Sequence, residues 1–476
     1  MACQLPTECL NEILEYLEGD KLTLHSCLLV NRLWCKIAVR ILWRNILDYN
    51  CYQPRSLRIK SSILSTLIAN LPIESKNLLH KNEIFISTPT LNSLLFNYVE
   101  FCKVLSINKI ISIVEDVLSN DRNNLVTNEI IKMFINEISS LEKFTYYYDY
   151  YSHINISIPY VPGARDLSEL CCSSNLPSSF LFQLSQTCHN LQSISISFEG
   201  KNVSNGLNEL ISSQNKLKNL TLSTYRYRIS WAIIIPAVIK HSKTITKLQL
   251  YGDYGDLPLS FVSLFTNLQK CIFSFDNGVI LEDFKKLQNA NFLKLEILKI
   301  PHQCFKPEYI IKFLENNGKN LKIFYMLEMN KALSLTIAKF CPNIRKLFIV
   351  FNNDEIDILK AIFINCKYLE SIKIWFGNRN LYLKKKEVLD TVVNYSQSNF
   401  HKLKIHSDLN SDVTPKDWES FFIGWKNRTP KKLLFLIFIN IFENDENLKI
   451  IEKYQNLGII KFWCKDIDDS DYVLYN

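Results

Sequence analysis

Fourteen cysteines and eight histidines are the side chains best suited to nucleophilic, acid–base or metal chemistry in this chain. Their spacing supports none of these. The histidines are scattered at 25, 80, 153, 189, 241, 302, 401 and 406, with no HExxH pair, no GxSxG serine and no Cys-His-Asn set. The cysteines contain no CxxC and no Cys/His cluster at zinc spacing, and no thiol has basic neighbours that would hold it as a thiolate. His401 and His406, followed by Asp408, come nearest to a site, but they flank one short strand and read as an exposed strand end. Among 11 glycines the only close pair is Gly252 and Gly255, and neither GxGxxG nor GxxxxGK[ST] occurs. No metal or cofactor is called for, and the chain reads as a non-enzyme.

The cysteines instead point to a repeat. Cys188, Cys341 and Cys366 each stand three residues before the start of a short unit: apolar, two variable, apolar, one variable, apolar. Twelve copies can be read, from LEKFTY at Leu141 through LQSISI at Leu191 and IRKLFI at Ile344 to LGIIKF at Leu457. Past Leu191 they recur every 23 to 33 residues, a period that signals a stacked solenoid. Within a copy, the fourth and sixth residues share one face of a strand and the variable residues lie on the other. Between copies lie stretches with helical spacing. One places Ile310, Ile311, Phe313 and Leu314 on one side and stops at Asn317-Gly318; another opens with Thr414 as N-cap and Pro415 in the first turn. Each unit is thus a strand then a helix, giving parallel inner strands and outer helices. Cysteines at a fixed repeat position read as small buried hydrophobes of a reducing compartment.

The variable positions carry the functional signal. The second, third and fifth residues of twelve units make 36 positions, of which 12 are Lys or Arg and three are Asp or Glu, although the whole chain is nearly balanced at 55 to 47. Tyr325, Phe348, Trp375 and Phe376 add aromatic area in the middle of the array. A basic, aromatic inner face suits an acidic or phosphorylated segment of a target protein, with Lys299, Lys322, Tyr325, Arg345, Lys346, Phe348, Lys373 and Trp375 as candidate contacts. The alternative is that exposed strand positions carry lysine for solubility. A net charge of +8 over 476 residues does not demand nucleic acid as the partner.

The first fifty residues differ. Leu10, Ile13, Leu14 and Leu17 form a helical stripe, with Pro6 in the first turn and Gly19 at the end. Two further apolar groups, around 22–29 and 34–42, predict two more short helices. Such a small unit barely buries its own core, so its apolar surface invites a partner. Residues 49–135 read as a mostly helical spacer that admits degenerate repeats, one around 101–107. The N-terminus lacks the pattern of a signal peptide, and the longest apolar runs fall short of a membrane span. No membrane role is expected, and the location expected is cytoplasmic, nuclear or both.

Leu5-Pro6, Glu8, Leu10, Ile13, Leu14, Leu17, Leu28, Val30, Asn31, Arg32 and Trp34, in that order, resemble an F-box, and the Cys-x-x-Leu units resemble the longer, cysteine-containing leucine-rich repeat. The resemblance implies an α/β architecture: a three-helix F-box at 1–48, the spacer at 49–135, and a leucine-rich-repeat solenoid at 136–476. It further implies that Leu5, Pro6, Leu10, Ile13, Leu14, Leu28, Val30 and Trp34 serve adaptor binding, the partner being a Skp-type adaptor and, through it, a cullin. On that footing the chain would be the substrate-recognition subunit of a Skp–cullin–F-box ubiquitin ligase. Two alternatives stay open: a repeat scaffold without a role in degradation, and a helical stripe that merely caps the solenoid.

Overall fold

The computed structural model describes residues 5–47, 56–86, 94–118, 123–147, 161–199, 203–224, 230–252, 257–275, 282–302, 305–328, 330–376, 383–407, 413–439 and 444–465. They fall into two compact units, 1–217 and 218–476.

The first unit opens with three helices, α1 (Thr7–Glu15), α2 (Lys21–Cys27) and α3 (Arg32–Arg44). Two short polar side chains start the second and third: Asp20 accepts from the Thr23 backbone N–H at 3.1 Å and Asn31 from that of Trp34 at 2.9 Å. The helices close on Leu10, Leu14, Leu24, Cys27, Ile37, Ala38, Ile41 and Leu42. At the far end of α3, both guanidinium nitrogens of Arg44 donate to the Glu15 carboxylate at 2.7 Å, and Glu18 accepts at 3.2 Å. The pairing with Arg44 holds the Glu15 carboxyl below its usual range.

Four parallel strands follow in this unit: β1 (Val104–Ser106), β2 (Lys143–Tyr146), β3 (Glu169–Ser173) and β4 (Ser193–Phe198). The three-helix head is tied to the first of them by backbone and side chain. The Lys103 N–H donates to the Arg44 carbonyl at 2.8 Å, the Cys102 thiol donates to that of Trp43 at 3.2 Å, and the Trp43 and Tyr98 rings lie 4.7 Å apart.

The second unit holds ten parallel strands in chain order: β5 (Asn219–Thr224), β6 (Lys247–Gly252), β7 (Lys270–Phe275), β8 (Ile297–Ile300), β9 (Ile323–Met326), β10 (Lys346–Val350), β11 (Ser371–Phe376), β12 (Lys402–Ser407), β13 (Leu434–Ile439) and β14 (Ile460–Lys465). One backbone device steps from unit to unit. From β5 to β12 the carbonyl of each second-position residue accepts the N–H groups of the second and third residues of the next copy. Lys218 accepts from Thr246 and Lys247, Glu296 from Lys322 and Ile323, and Arg345 from Glu370 and Ser371, all at 2.8–3.1 Å. Buried amides add a second tie. The Asn317 side chain accepts from the Phe292 N–H at 2.7 Å and donates to the Ala290 carbonyl at 2.9 Å, one repeat back.

The twelve copies coincide with twelve of the fourteen described strands. The other two obey the same rule in disguise. Around β1 the anchors are Cys102, Leu105 and Ile107, and around β3 they are Leu167, Leu170 and Cys172, all buried. In β3 cysteine replaces the last apolar residue, which hides the copy between Leu141 and Leu191. The last copy keeps its strand but pairs two residues out of step with the copy before it. Leu436 of β13 pairs with Phe462; Ile460 and Phe462, the fourth and sixth residues of that copy, are buried and half-buried, but its first residue, Leu457, is 60% exposed.

A full helix does not follow every strand. Short 3-10 turns at Trp231–Ile234, Ser260–Leu264 and Glu282–Lys286 carry the chain back after β5, β6 and β7. There one large buried aromatic per turn, Trp231, Phe261 or Phe284, fills the space that a helical face fills elsewhere. Full helices such as Pro307–Asn317 and Pro415–Lys426 return the later repeats. Thr414 and Asp417 cap the second of these reciprocally.

Cys188, Cys341 and Cys366 are fully buried. The Cys366 thiol donates to the Cys341 carbonyl at 3.4 Å and the Cys188 thiol to the Leu167 carbonyl at 3.7 Å, each one repeat back. Burial pushes Cys188 up to about 11 and Cys366 up to about 12. Alkylation of the native chain with iodoacetamide at mildly basic pH should label the exposed Cys9 and Cys464 and spare these three until denaturant is added, as peptide mass spectrometry would show. Cys341→Ser should cost about 1–3 kcal/mol in a denaturant titration, because a hydroxyl must be buried where a thiol was. Arg44→Ala should cost about 1 kcal/mol, screened as a half-exposed pair is, read as faster amide exchange in α1. Glu15 titrates below its unfolded value, so the stabilisation from this pair is complete at neutral pH and is lost on acidification. Amide protection in α1 should therefore fall more steeply with acid in the parent chain than in Arg44→Ala.

Candidate functional site

Two surfaces gather the residues singled out by sequence. At the three-helix head the adaptor-binding set divides. Leu10, 3% exposed, and Leu14 lie in the head's own core, and Leu28 and Trp34 are half-buried against it. Leu5, Pro6, Ile13 and Val30 face outward. Tyr16, Leu22 and Leu29, outside that set, are more exposed still, Leu29 at 89%. The helical stripe could not reveal them. Tyr16 follows the last turn of α1, Leu22 lies in the first turn of α2 and Leu29 in the turn before α3, so none of them belongs to the α1 stripe.

The second surface is the strand face of the second unit turned away from the helices. The pairing lines its residues into rows. Fifth-position residues run Lys299, Tyr325, Phe348, Lys373, Lys404 across β8 to β12, and third-position residues run Ile323, Lys346, Ser371, Lys402 across β9 to β12. The Tyr325 and Phe348 ring centroids are 4.2 Å apart. The Lys373 ammonium lies 4.7 Å from the Phe348 ring and 5.7 Å from the Tyr325 ring, and Lys299 approaches Tyr325 from the other side at 5.9 Å. Lys373 is only 4% exposed, its stem covered by these rings. Trp375 stands one step along the same strand, its ring 6.4 Å from that of His406. Phe376 turns the other way, into the core, with the Lys385 ammonium over its ring, and so adds nothing to this face.

The rows separate charges that the sequence count pooled. All three acidic residues of that count, Glu142, Glu296 and Glu370, are second-position residues at the strand edge. Two of them pair there, Lys322 with Glu296 at 2.6 Å and Arg345 with Glu370 at 3.1 Å. Lys322 and Arg345 thus line a different depression, of about 620 Å³, with Leu293, Lys294, Asn343 and Tyr368. On the face proper, the third and fifth positions of β5 to β14 hold Lys247, Lys270, Lys299, Lys346, Lys373, Lys402, Lys404 and Lys461 and no Asp or Glu. Burial, then the nearby charge of Lys247, lowers the pKa of Lys270. Five of these lysines converge with Tyr325 and Phe348 on a depression of about 240 Å³.

Asp408 lies outside the described residues. His401 and His406 occupy opposite ends of β12; a ring nitrogen of His401 lies 2.9 Å from the Asn399 carbonyl oxygen. Among the described residues, no three His, Cys, Asp or Glu side chains are grouped to hold a metal ion. Among those residues, no helix is long and apolar enough to cross a membrane.

Residues 2–48 match the F-box-like family model. No curated protein matches the chain. Among solved structures, the chain is similar to the yeast Rad7–Elc1 complex, at 12% identity and TM-score 0.36, covering 94% of this chain and 96% of that one. It is also similar to a leucine-rich-repeat protein of Leptospira interrogans, at 16% identity and TM-score 0.33, covering 76% and 93%. The fold rests on the chain's own geometry: within each unit, one strand per copy, all parallel, paired in chain order. The chain carries an F-box-like domain at its N-terminus followed by an α/β solenoid of leucine-rich-repeat type.

Proposed function

We propose that this chain is the substrate-recognition subunit of a Skp–cullin–F-box ubiquitin ligase. The F-box-like head docks a Skp-type adaptor and, through it, a cullin. The strand face of the solenoid holds the target protein, whose lysines are thereby concentrated near a ubiquitin-charged enzyme and whose marking leads to degradation. The chain itself supplies no reacting group. The observation that carries this reading is the division of the head: a closed core around Leu10, Leu14 and Ile37, and outside it an unspent apolar set at Leu5, Ile13, Leu22, Leu29 and Val30. A domain that merely caps a solenoid has no use for that second set.

Co-purification with a Skp-type adaptor tests it. Leu5→Ala/Ile13→Ala/Val30→Ala should lower adaptor recovery at least about tenfold, as expected when interface anchors are truncated, with unfolding midpoint unchanged. Leu10→Ala should instead cost about 2–5 kcal/mol of stability in the head, because it opens a cavity in a small core. Equal adaptor recovery from the triple variant and the parent would sink the docking assignment. Ubiquitin transfer to a bound protein in the reconstituted complex then distinguishes a receptor from a scaffold without a role in degradation.

A further inference from the structure

The depression of about 620 Å³ lies beside the strand face, where the chain enters β7 to β11. Its lining comes from second-position residues and from residues one or two places before a first anchor. Four cations, Lys294, Lys319, Lys322 and Arg345, line it with one carboxylate, Glu296. We propose that this edge depression is a second recognition site, which takes one Asp or Glu side chain on an extended segment of the target protein. The inference rests on the receptor reading and adds a contact surface outside the strand face, with the chemistry it selects.

The ion pairs at this edge leave donors over. The Lys322 ammonium meets Glu296 at 2.6 Å. Arg345, half exposed, gives one guanidinium nitrogen to Glu370 at 3.1 Å, and its other nitrogens have no partner among the described residues. The Lys319 ammonium has none among those residues either. The loop that carries it is held, because the Asn343 side chain donates to the Lys319 carbonyl at 2.7 Å from one copy later. Lys294 bonds a neutral acceptor, the Asn267 side-chain oxygen, at 2.7 Å. Counting Glu370, four cations meet two carboxylates, so the edge keeps an excess of two positive charges.

Shape and the resident carboxylates decide what suits it. A guanidinium fork presents parallel N–H donors that match a flat carboxylate, and a second carboxylate can take the edge of the fork that Glu370 leaves. A phosphomonoester brings nearly two charges close to Glu296 and Glu370, which repel it about twice as strongly as a single charge. A nucleic-acid strand would pass the same carboxylates with a charge at every nucleotide. The neutral lining fits peptide. The Gln269 and Asn320 amides, without partners among the described residues, each offer donor and acceptor to peptide groups. Leu293, 70% exposed, and Tyr368, 51% exposed, add apolar contact at the walls.

The test uses the full-length chain and immobilised peptides whose flanks are randomised over uncharged residues. Three C-terminally amidated pools are centred on Asp/Glu, on Asn/Gln, or on phosphoserine/phosphothreonine; a fourth is centred on Asn/Gln with a free C-terminal carboxylate. The Asp/Glu pool should retain the chain about fivefold better than any other, the size expected of a half-exposed charged contact. Arg345→Gln should remove that preference at an unchanged unfolding midpoint. Lys346→Gln, next in the chain but on the strand face, should leave it intact. Glu370→Gln separates recognition from a structural role of the ion pair: it frees the whole fork, so retention on the Asp/Glu pool should rise several-fold. Equal retention on the Asp/Glu and Asn/Gln pools overturns the proposal. So does an undiminished preference in folded Arg345→Gln, or lost retention in folded Glu370→Gln. Stronger retention on the phosphorylated or the free-carboxylate pool overturns it in favour of that ligand. Adaptor capture by the same preparations is scored separately. Acidic-peptide discrimination without adaptor capture would remove the ligase reading and keep the site; adaptor capture without discrimination would remove the site and keep the ligase reading.

Discussion

The carbonyl shared at the second position of most repeats is the constraint on which the rest depends. A single repeat presents a strand whose backbone donors and acceptors have no partner within the repeat, and a buried backbone group without a partner is costly. Only the next copy can satisfy it. In this chain one carbonyl takes two N–H groups from that copy, and the step recurs from Lys103 to Glu142 and Lys143 in the first unit and from Lys218 to Thr246 and Lys247 in the second. A two-pronged contact of this kind admits no one-residue slip, because slipping would turn every core side chain outward. The fourth and sixth residues therefore always face the helices, and the third and fifth always face away.

That regularity converts sequence positions into rows, and the rows carry the electrostatics. Opposite charges at the edge lie one strand apart and find each other, as Lys322 and Arg345 do with Glu296 and Glu370. On the face proper, like charges are brought together by the same spacing, and the Lys373 ammonium lies against the rings of Tyr325 and Phe348. Concentrating like charge is unfavourable for an isolated fold.

The head obeys a different economy. Three short helices cannot bury all the apolar surface they carry, so the sequence sorts it. One set closes the core with Arg44 bracing α1 against α3, and another stays in water. The link to the repeats uses the last turn of α3, where the carbonyls of Trp43 and Arg44 accept from Cys102 and Lys103. Carbonyl groups that a helix end leaves open thus become the attachment point of β1.

Much of this was legible in the amino-acid order. The copies, the strand-then-helix rule, the small buried role of Cys188, Cys341 and Cys366, and the N-terminal helical stripe all follow from periodicity, because burial on one face leaves a spacing that a reader can count. The β3 copy was illegible because cysteine at 172 stands where a leucine is expected. In the last copy the pattern located the strand but not the exposure of Leu457 or the two-residue offset of its pairing. Periodicity could assign residues to a face but not to an environment. It could not separate Leu10 from Ile13, which share a stripe yet differ between core and solvent. Nor could it tell Arg345 from Lys346, adjacent residues of which one is paired at an edge and the other lines a depression. Those distinctions depend on which side chain of a neighbouring strand or helix lies within reach, often more than twenty residues away. Sequence by itself determined the repeat and the sign of its exposed face; only tertiary structure decided which charges cancel and which converge, because cancellation is settled by distances between strands.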